Sequence, residues 1–358
     1  MHQKLLKSVH YIELGSYQYW PVLLPRGIRL YTYEQIPVFL KDNPYITDGY
    51  RAYLPSKLCL KSLFILSNET VNIWSHLLGF LLFFSLGVYD MMSVLPSANA
   101  SREDFVICSI CLFCFQVCML CSVGYHLFCC HRSEKTSRRW MALDYAGISI
   151  GILGCYVSGV FYAFYCNNYW RQVYLITVLA MILAVFFAQI HPSYLTQQWH
   201  RLRSVIFCSV SGYGIIPTVH WIWLNGGVGT SIVQEFAPRV IVMYIIAAVA
   251  FLFYISKVPE RYFPDLPYVV YFRQRAEKNI FQLFILANYL HMFDGFSSHI
   301  DIVERYIVAE RFRALATLLF MTRTAELPWL KPSTVAYTCS RNVVLVASVD
   351  SVHHAIQT

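Results

Sequence analysis

Ser122 and His126 lie four residues apart in CSVGYHLFCCHRSEK, a spacing that sets both side chains on one face of a helix. After a short basic loop the chain turns back, and LDYAGI brings Asp144 to the same end of the next apolar run. A hydroxyl, an imidazole and a carboxylate in such surroundings fit two roles. In the first, the imidazole binds a metal whose water the carboxylate orients or deprotonates. In the second, an Asp–His hydrogen bond staples two helices. An acid inside a membrane span costs about 2.5 to 3.5 kcal/mol at mid-depth, so Asp144 is expected to face protein or a water cavity.

Upstream, SNETVNIWSH places Glu69, Thr70, Asn72 and His76 at the entrance of another apolar run. Ser67 and Asn68 read as helix caps, which leaves Glu69 and His76 less well explained. Cys108, Cys111, Cys114 and Cys118 reproduce the spacing of iron–sulfur ligands, but they sit inside a continuous apolar helix and Met119 stands where a proline would follow. A packed stripe of small residues fits better. Cys129 and Cys130 suit palmitoylation by composition alone. The other cysteines are scattered through apolar runs, as reduced thiols in helix packing are. His131, His191, His200 and His220 have no partner spacing and read as structural or exposed.

The elements that must position these residues are membrane helices. The chain has 358 residues, 57% of them hydrophobic and 13% charged. Its mean hydropathy is +0.47. Six apolar runs are long enough to cross a bilayer, where about 20 residues suffice: Ile73–Val94, Phe105–Cys130, Trp140–Tyr165, Val173–Ile190, Ser204–Leu224 and Val240–Ser256. Pro217, after Gly212 and Gly214, is expected to kink the fifth without ending it. The expected fold is therefore an all-α polytopic transmembrane bundle of six spans.

One face of that bundle carries 14 Lys and Arg residues and the other 3, counted over residues 1–256, which places the amino terminus in the cytosol. No apolar h-region precedes the spans, so no secretory signal is expected. The net charge of +8 is dispersed among loops, which excludes a nucleic-acid patch; the lipid bilayer is the expected partner. Three regions follow: a cytosolic segment 1–72 with an interfacial helix near 57–66, a membrane domain 73–256, and a polar tail 257–358. Within the tail, Ile280–Phe293 is apolar but short for a span.

SNETVNIWSH, the Ser122/His126 pair, LDYAGI and KVPERYFP occur in this order, with ITDGYR (Ile46–Arg51) before them, and together they resemble the progestin and adipoQ receptor family. The resemblance covers about residues 40–264 and implies a seven-helix fold with a cytosolic amino terminus. It also implies a zinc ion held by one histidine of helix two and an H-x3-H pair of helix seven, with lipid amidase (ceramidase-like) activity. By motif, His126 is the helix-two ligand, while Asp144 and Ser122 complete the site. No H-x3-H occurs in residues 265–358, so the tail reads as a replacement for helix seven. His126 is then the zinc ligand retained, no cofactor is expected, and a competent zinc enzyme is not expected. The resemblance further implies a tether at the Golgi membrane whose residues 1–72 capture a Raf kinase and damp MAP kinase signalling. The alternatives are a zinc-dependent lipid amide hydrolase and a truncated, poorly folded chain.

Overall fold

The computed structural model describes residues 28–97, 100–191, 194, 199–258 and 261–262, together with strand residues 335–340 and 343–348. Before the bundle, β1 (Leu30–Tyr31) pairs antiparallel with β2 (Tyr50–Arg51), and helix α1 (Ser56–Lys61) continues into a 3-10 turn at Ser62–Phe64. Two small cores hold this segment together. Ile36, Ile46, Tyr50 and Ala52 form one, and Ile28, Leu54, Cys59, Ile65, Cys129 and Cys130 form the other, which joins the segment to the bundle.

The spans begin at α2 (Thr70–Tyr89), which runs through a π turn (Asp90–Val94) into α3 (Leu95–Ser97). Then come α4 (Arg102–Phe128), α5 (Glu134–Ala163), α6 (Asn168–Ile190), α7 (His200–Gly212), α8 (Ile215–Leu224) and α9 (Ser231–Ser256). Among the described residues six helical stretches are long and apolar enough to cross a membrane. The all-α bundle expected from the hydrophobic runs is what the chain forms, with small two-stranded ladders, β1–β2 and β3 (Val335–Ser340) with β4 (Val343–Ser348), as its sheet.

Several boundaries move. The sixth span starts at Ser231 and takes in Pro238 instead of starting at Val240, because a proline flanked by long apolar runs is tolerated inside a membrane helix. The fifth is broken into α7 and α8 at Tyr213–Gly214. Pro217 cannot donate to the Tyr213 carbonyl, and that oxygen accepts from the Ile216 N–H at 3.0 Å instead.

The cysteine row of α4 packs as the small-residue stripe. A Cβ added at Gly154 of α5 would stand 2.8 Å from Cys114 Cβ, and one at Gly147 would stand 2.9 Å from Cys121 Cβ. Glycine is required there so that α5 lies against the sulfur-bearing face of α4. Phe83, Leu95, Phe115 and Met119 fill the adjoining core. At the far end Ser101 and Asp104 cap α4 reciprocally, and Tyr162 of α5 donates to Asp104 Oδ1 at 3.1 Å. Over its most apolar window 56% of α5 is buried in protein, against 6% of α9, so α9 lies at the rim.

The six helices return the chain to the face where it began. Lys257, past the end of α9, donates from Nζ to the Asp42 carbonyl at 2.7 Å. Residues 263–334 lie outside the described residues, Ile280–Phe293 among them, so the tail's spanning or interfacial character has no structural counterpart here.

Candidate functional site

Glu69 is the N-cap residue of α2, and its carboxylate is the centre of a buried polar cluster. Oε2 accepts from Asn72 Nδ2 at 2.8 Å and lies 2.7 Å from Nδ1 of His126, near the end of α4. A turn further along α2, His76 Nδ1 lies 2.9 Å from the Asn72 carbonyl and 3.2 Å from Ser122 Oγ. A carbonyl only accepts, so Nδ1 of His76 carries the proton in this arrangement. The two imidazoles stack with planes 8° apart and centroids 5.9 Å apart. His76, Ser122 and His126 are all buried, His126 with 1% exposure.

Sequence spacing brought Ser122 and His126 together correctly, and both face α2. Asp144 does not join them. No hydrogen bond links it to His126 among the described residues, and it lies near Cys118 and Cys121 instead. The Gly147 contact with Cys121 and Cys118 sets the register of α5 on α4 and leaves Asp144 near Cys121, about 5 Å deeper than His126 at 1.5 Å per residue. The helix staple expected between Asp144 and His126 is therefore made by Glu69, and it ties α2 to α4.

Two positions carry more than their sequence suggested. Arg51 of the ITDGYR motif is buried; Nη2 donates to the His126 carbonyl at 2.7 Å and Nη1 donates to Ser62 Oγ. An arginine embedded among apolar residues just before the interfacial helix was the available signal. His131 accepts at Nδ1 from the Ser133 N–H at 2.9 Å, so its Nε2 proton points to Ser56 Oγ at 3.2 Å and pins α1 to the α4–α5 corner. Backbone bonds reinforce that join, from Leu54 N to the Cys130 carbonyl at 3.0 Å and from Arg132 N to the Leu54 carbonyl at 2.8 Å. Cys129 and Cys130 are buried beneath α1, which removes them from acylation while the segment is docked. Among the described residues ten cysteines are free thiols, but Cys166, in the α5–α6 loop, is disulfide-bonded and departs from the reduced-thiol expectation.

The haemolysin-III related family matches residues 64–304. The chain is 90% identical over 264 residues to progestin and adipoQ receptor family member 3 of mouse and of human, 74% of this chain and 85% of each of those proteins. It belongs to the progestin and adipoQ receptor family. Heptahelical transmembrane protein 1 of Arabidopsis thaliana is 29% identical over 271 residues, 73% of this chain and 78% of that protein. The adiponectin receptor protein of Drosophila melanogaster is 30% identical over 233 residues. The family match runs past Pro264 to residue 304, and so includes the Ile280–Phe293 stretch.

The zinc that the family resemblance implies can be tested against these residues. Among those described, no three His, Cys, Asp or Glu side chains gather closely enough to hold a metal ion. Nδ1 of His126 is engaged by Glu69, and Asp144 stands off to the side. The described residues do not fit the ion, and the cluster works as a hydrogen-bonded join of three segments, the Arg51 loop, α2 and α4.

Proposed function

We propose that the chain is a membrane tether whose amino-terminal segment, residues 1–72, captures a Raf kinase at the Golgi membrane and so damps MAP kinase signalling. The observation that carries this reading is the build of that segment. Residues 28–66 have cores of their own, are clamped to the bundle through Arg51, Ser56 and Leu54, and still present Val38, Tyr53, Leu60 and Phe64 to the outside. A folded platform held at the membrane face is what a tether needs. High identity to family member 3 supports the same reading. The basic face of the bundle and the return of Lys257 to Asp42 support a cytosolic position for it.

The test is capture of Raf kinase by the full-length protein and by a chain ending at Pro264. Equal capture by both, lost when residues 1–55 are removed from a chain that still inserts, is the expected result. Capture that survives that removal would sink the reading.

A zinc-dependent lipid amide hydrolase is the second reading. It is favoured by the stacked His76 and His126 beside Glu69, since a carboxylate on Nδ1 is the usual way an imidazole is oriented for a metal at Nε2. Metal content of the purified protein separates the two.

A further inference from the structure

Arg51 is a buried cation without a carboxylate. It is 2% exposed, no ion pair to it occurs among the described residues, and its Nε has no hydrogen-bond partner. Its partners, the Ser62 hydroxyl and the His126 carbonyl, are neutral. A guanidinium taken out of water calls for a negative charge nearby. What surrounds it is a group of thiols. Cys59 of α1 and Cys130, just past α4, set their sulfurs 3.7 Å apart, both with 0% exposure, and Cys129 stands alongside.

The neighbouring Cys129 and Cys59 sulfurs, and then the Arg51 charge against the opposing burial, draw the Cys130 thiol below its ordinary range. The hydrogen bond with Cys130, and then burial, push Cys59 up. The Arg51 charge favours ionisation of the Cys130 thiol, which otherwise donates to the Leu127 carbonyl at 3.4 Å.

We propose that Cys59 and Cys130 are an oxidisable pair that closes to a disulfide, with a hydroperoxide as oxidant, and fastens α1 to the end of α4. The Cys130 thiolate attacks a peroxide oxygen; an S–O bond forms, the O–O bond breaks, and hydroxide leaves. That hydroxide takes the Cys59 proton to become water. The Cys59 sulfur then attacks the Cys130 sulfur, the S–S bond forms, and a second hydroxide departs. Two electrons pass from the sulfurs to the peroxide, giving one water and one hydroxide.

Little backbone movement is needed. The Leu54–Cys130 and Arg132–Leu54 hydrogen bonds and the Ser56–His131 contact already hold the two strands of chain in register. The sulfurs close from 3.7 Å to the disulfide distance of about 2.0 Å. Cys129 is a poorer partner for Cys130. It has helical backbone angles, φ −54° and ψ −35°, which turn consecutive side chains away from one another. Burial sets the selectivity: a molecule near the size of water enters through small movements of the segment, whereas bulky alkylating reagents do not.

The pair does not depend on the tether reading, and its test uses full-length protein in detergent. The protein is treated briefly with hydrogen peroxide, free thiols are blocked under denaturing conditions, and peptides are mapped by mass. A reductant-sensitive link between Cys59 and Cys130 is expected. Cys59→Ser should leave a sulfenic acid at Cys130 that dimedone traps once the protein is denatured, and Arg51→Met should slow closure of the pair by roughly tenfold through loss of thiolate. Either a Cys129–Cys130 bond in place of this link, or both sulfurs remaining reduced in folded wild-type protein, would overturn the proposal. The wild-type map decides the matter even where a variant fails to fold.

Discussion

Glu69 Oε2 and His126 Nδ1 stand 2.7 Å apart, joining the N-cap residue of one span to the last turn of the next, 57 positions along the chain. The imidazole is buried and the carboxylate side chain is 14% exposed. Such a contact is a join with a polar interior, and its removal leaves the other partner desolvated.

Glu69→Ala should therefore destabilise the protein by about 2 kcal/mol, below the 3–5 kcal/mol of a wholly buried pair because the carboxylate is partly wet. Glu69→Gln, which keeps an acceptor, should lose less. Thermal unfolding in one detergent, followed by loss of monodisperse elution, measures both. Equal and negligible losses for the two variants would show that the contact holds nothing.

Metal analysis of detergent-purified protein should find well below one zinc per chain, unchanged by His126→Ala. Catalytic zinc sites use three protein ligands, and the described residues supply no such set. Stoichiometric zinc that disappears in His126→Ala, with hydrolysis of a ceramide amide, would restore the hydrolase reading.

Gly154→Ala should cost about 1–3 kcal/mol, since the new methyl would lie 2.8 Å from Cys114 Cβ and the helices must part. Cys114→Ser, by contrast, should leave the iron content and the visible spectrum of the protein unaltered. Loss of a chromophore in that variant would contradict the packing account of the cysteine row.

On the proposed cytosolic orientation with six spans, tags at the two ends should respond alike to selective permeabilisation of the plasma membrane. Asn68, a buried sequon residue beside the same face, should stay unglycosylated. An amino-terminal tag that is exposed while the carboxyl-terminal tag is protected would mean that Ile280–Phe293 crosses the bilayer.

Hydropathy made the bundle legible, because apolar runs of span length have few alternatives in a chain this hydrophobic. The i, i+4 spacing likewise made the Ser122/His126 face legible. What periodicity could not supply was register between helices. Asp144 looked level with His126 when helix α5 was counted from Trp140; the helix begins at Glu134, and the glycine contacts at Gly147 and Gly154 decide where it slides. Arg51 was hidden for a different reason. A lone arginine ahead of the spans reads as solvated even beside apolar residues, and only a folded segment turns it inward.

The rim position of α9 has a consequence for the order of synthesis. Chains fold from the amino terminus as they are made. Glu69–His126, His76–Ser122, Tyr162–Asp104 and the α4–α5 glycine seam all lie before residue 164. The heart of the molecule can thus be assembled in the membrane before Ser231 leaves the ribosome, and whatever sequence follows α9 arrives at a structure already made.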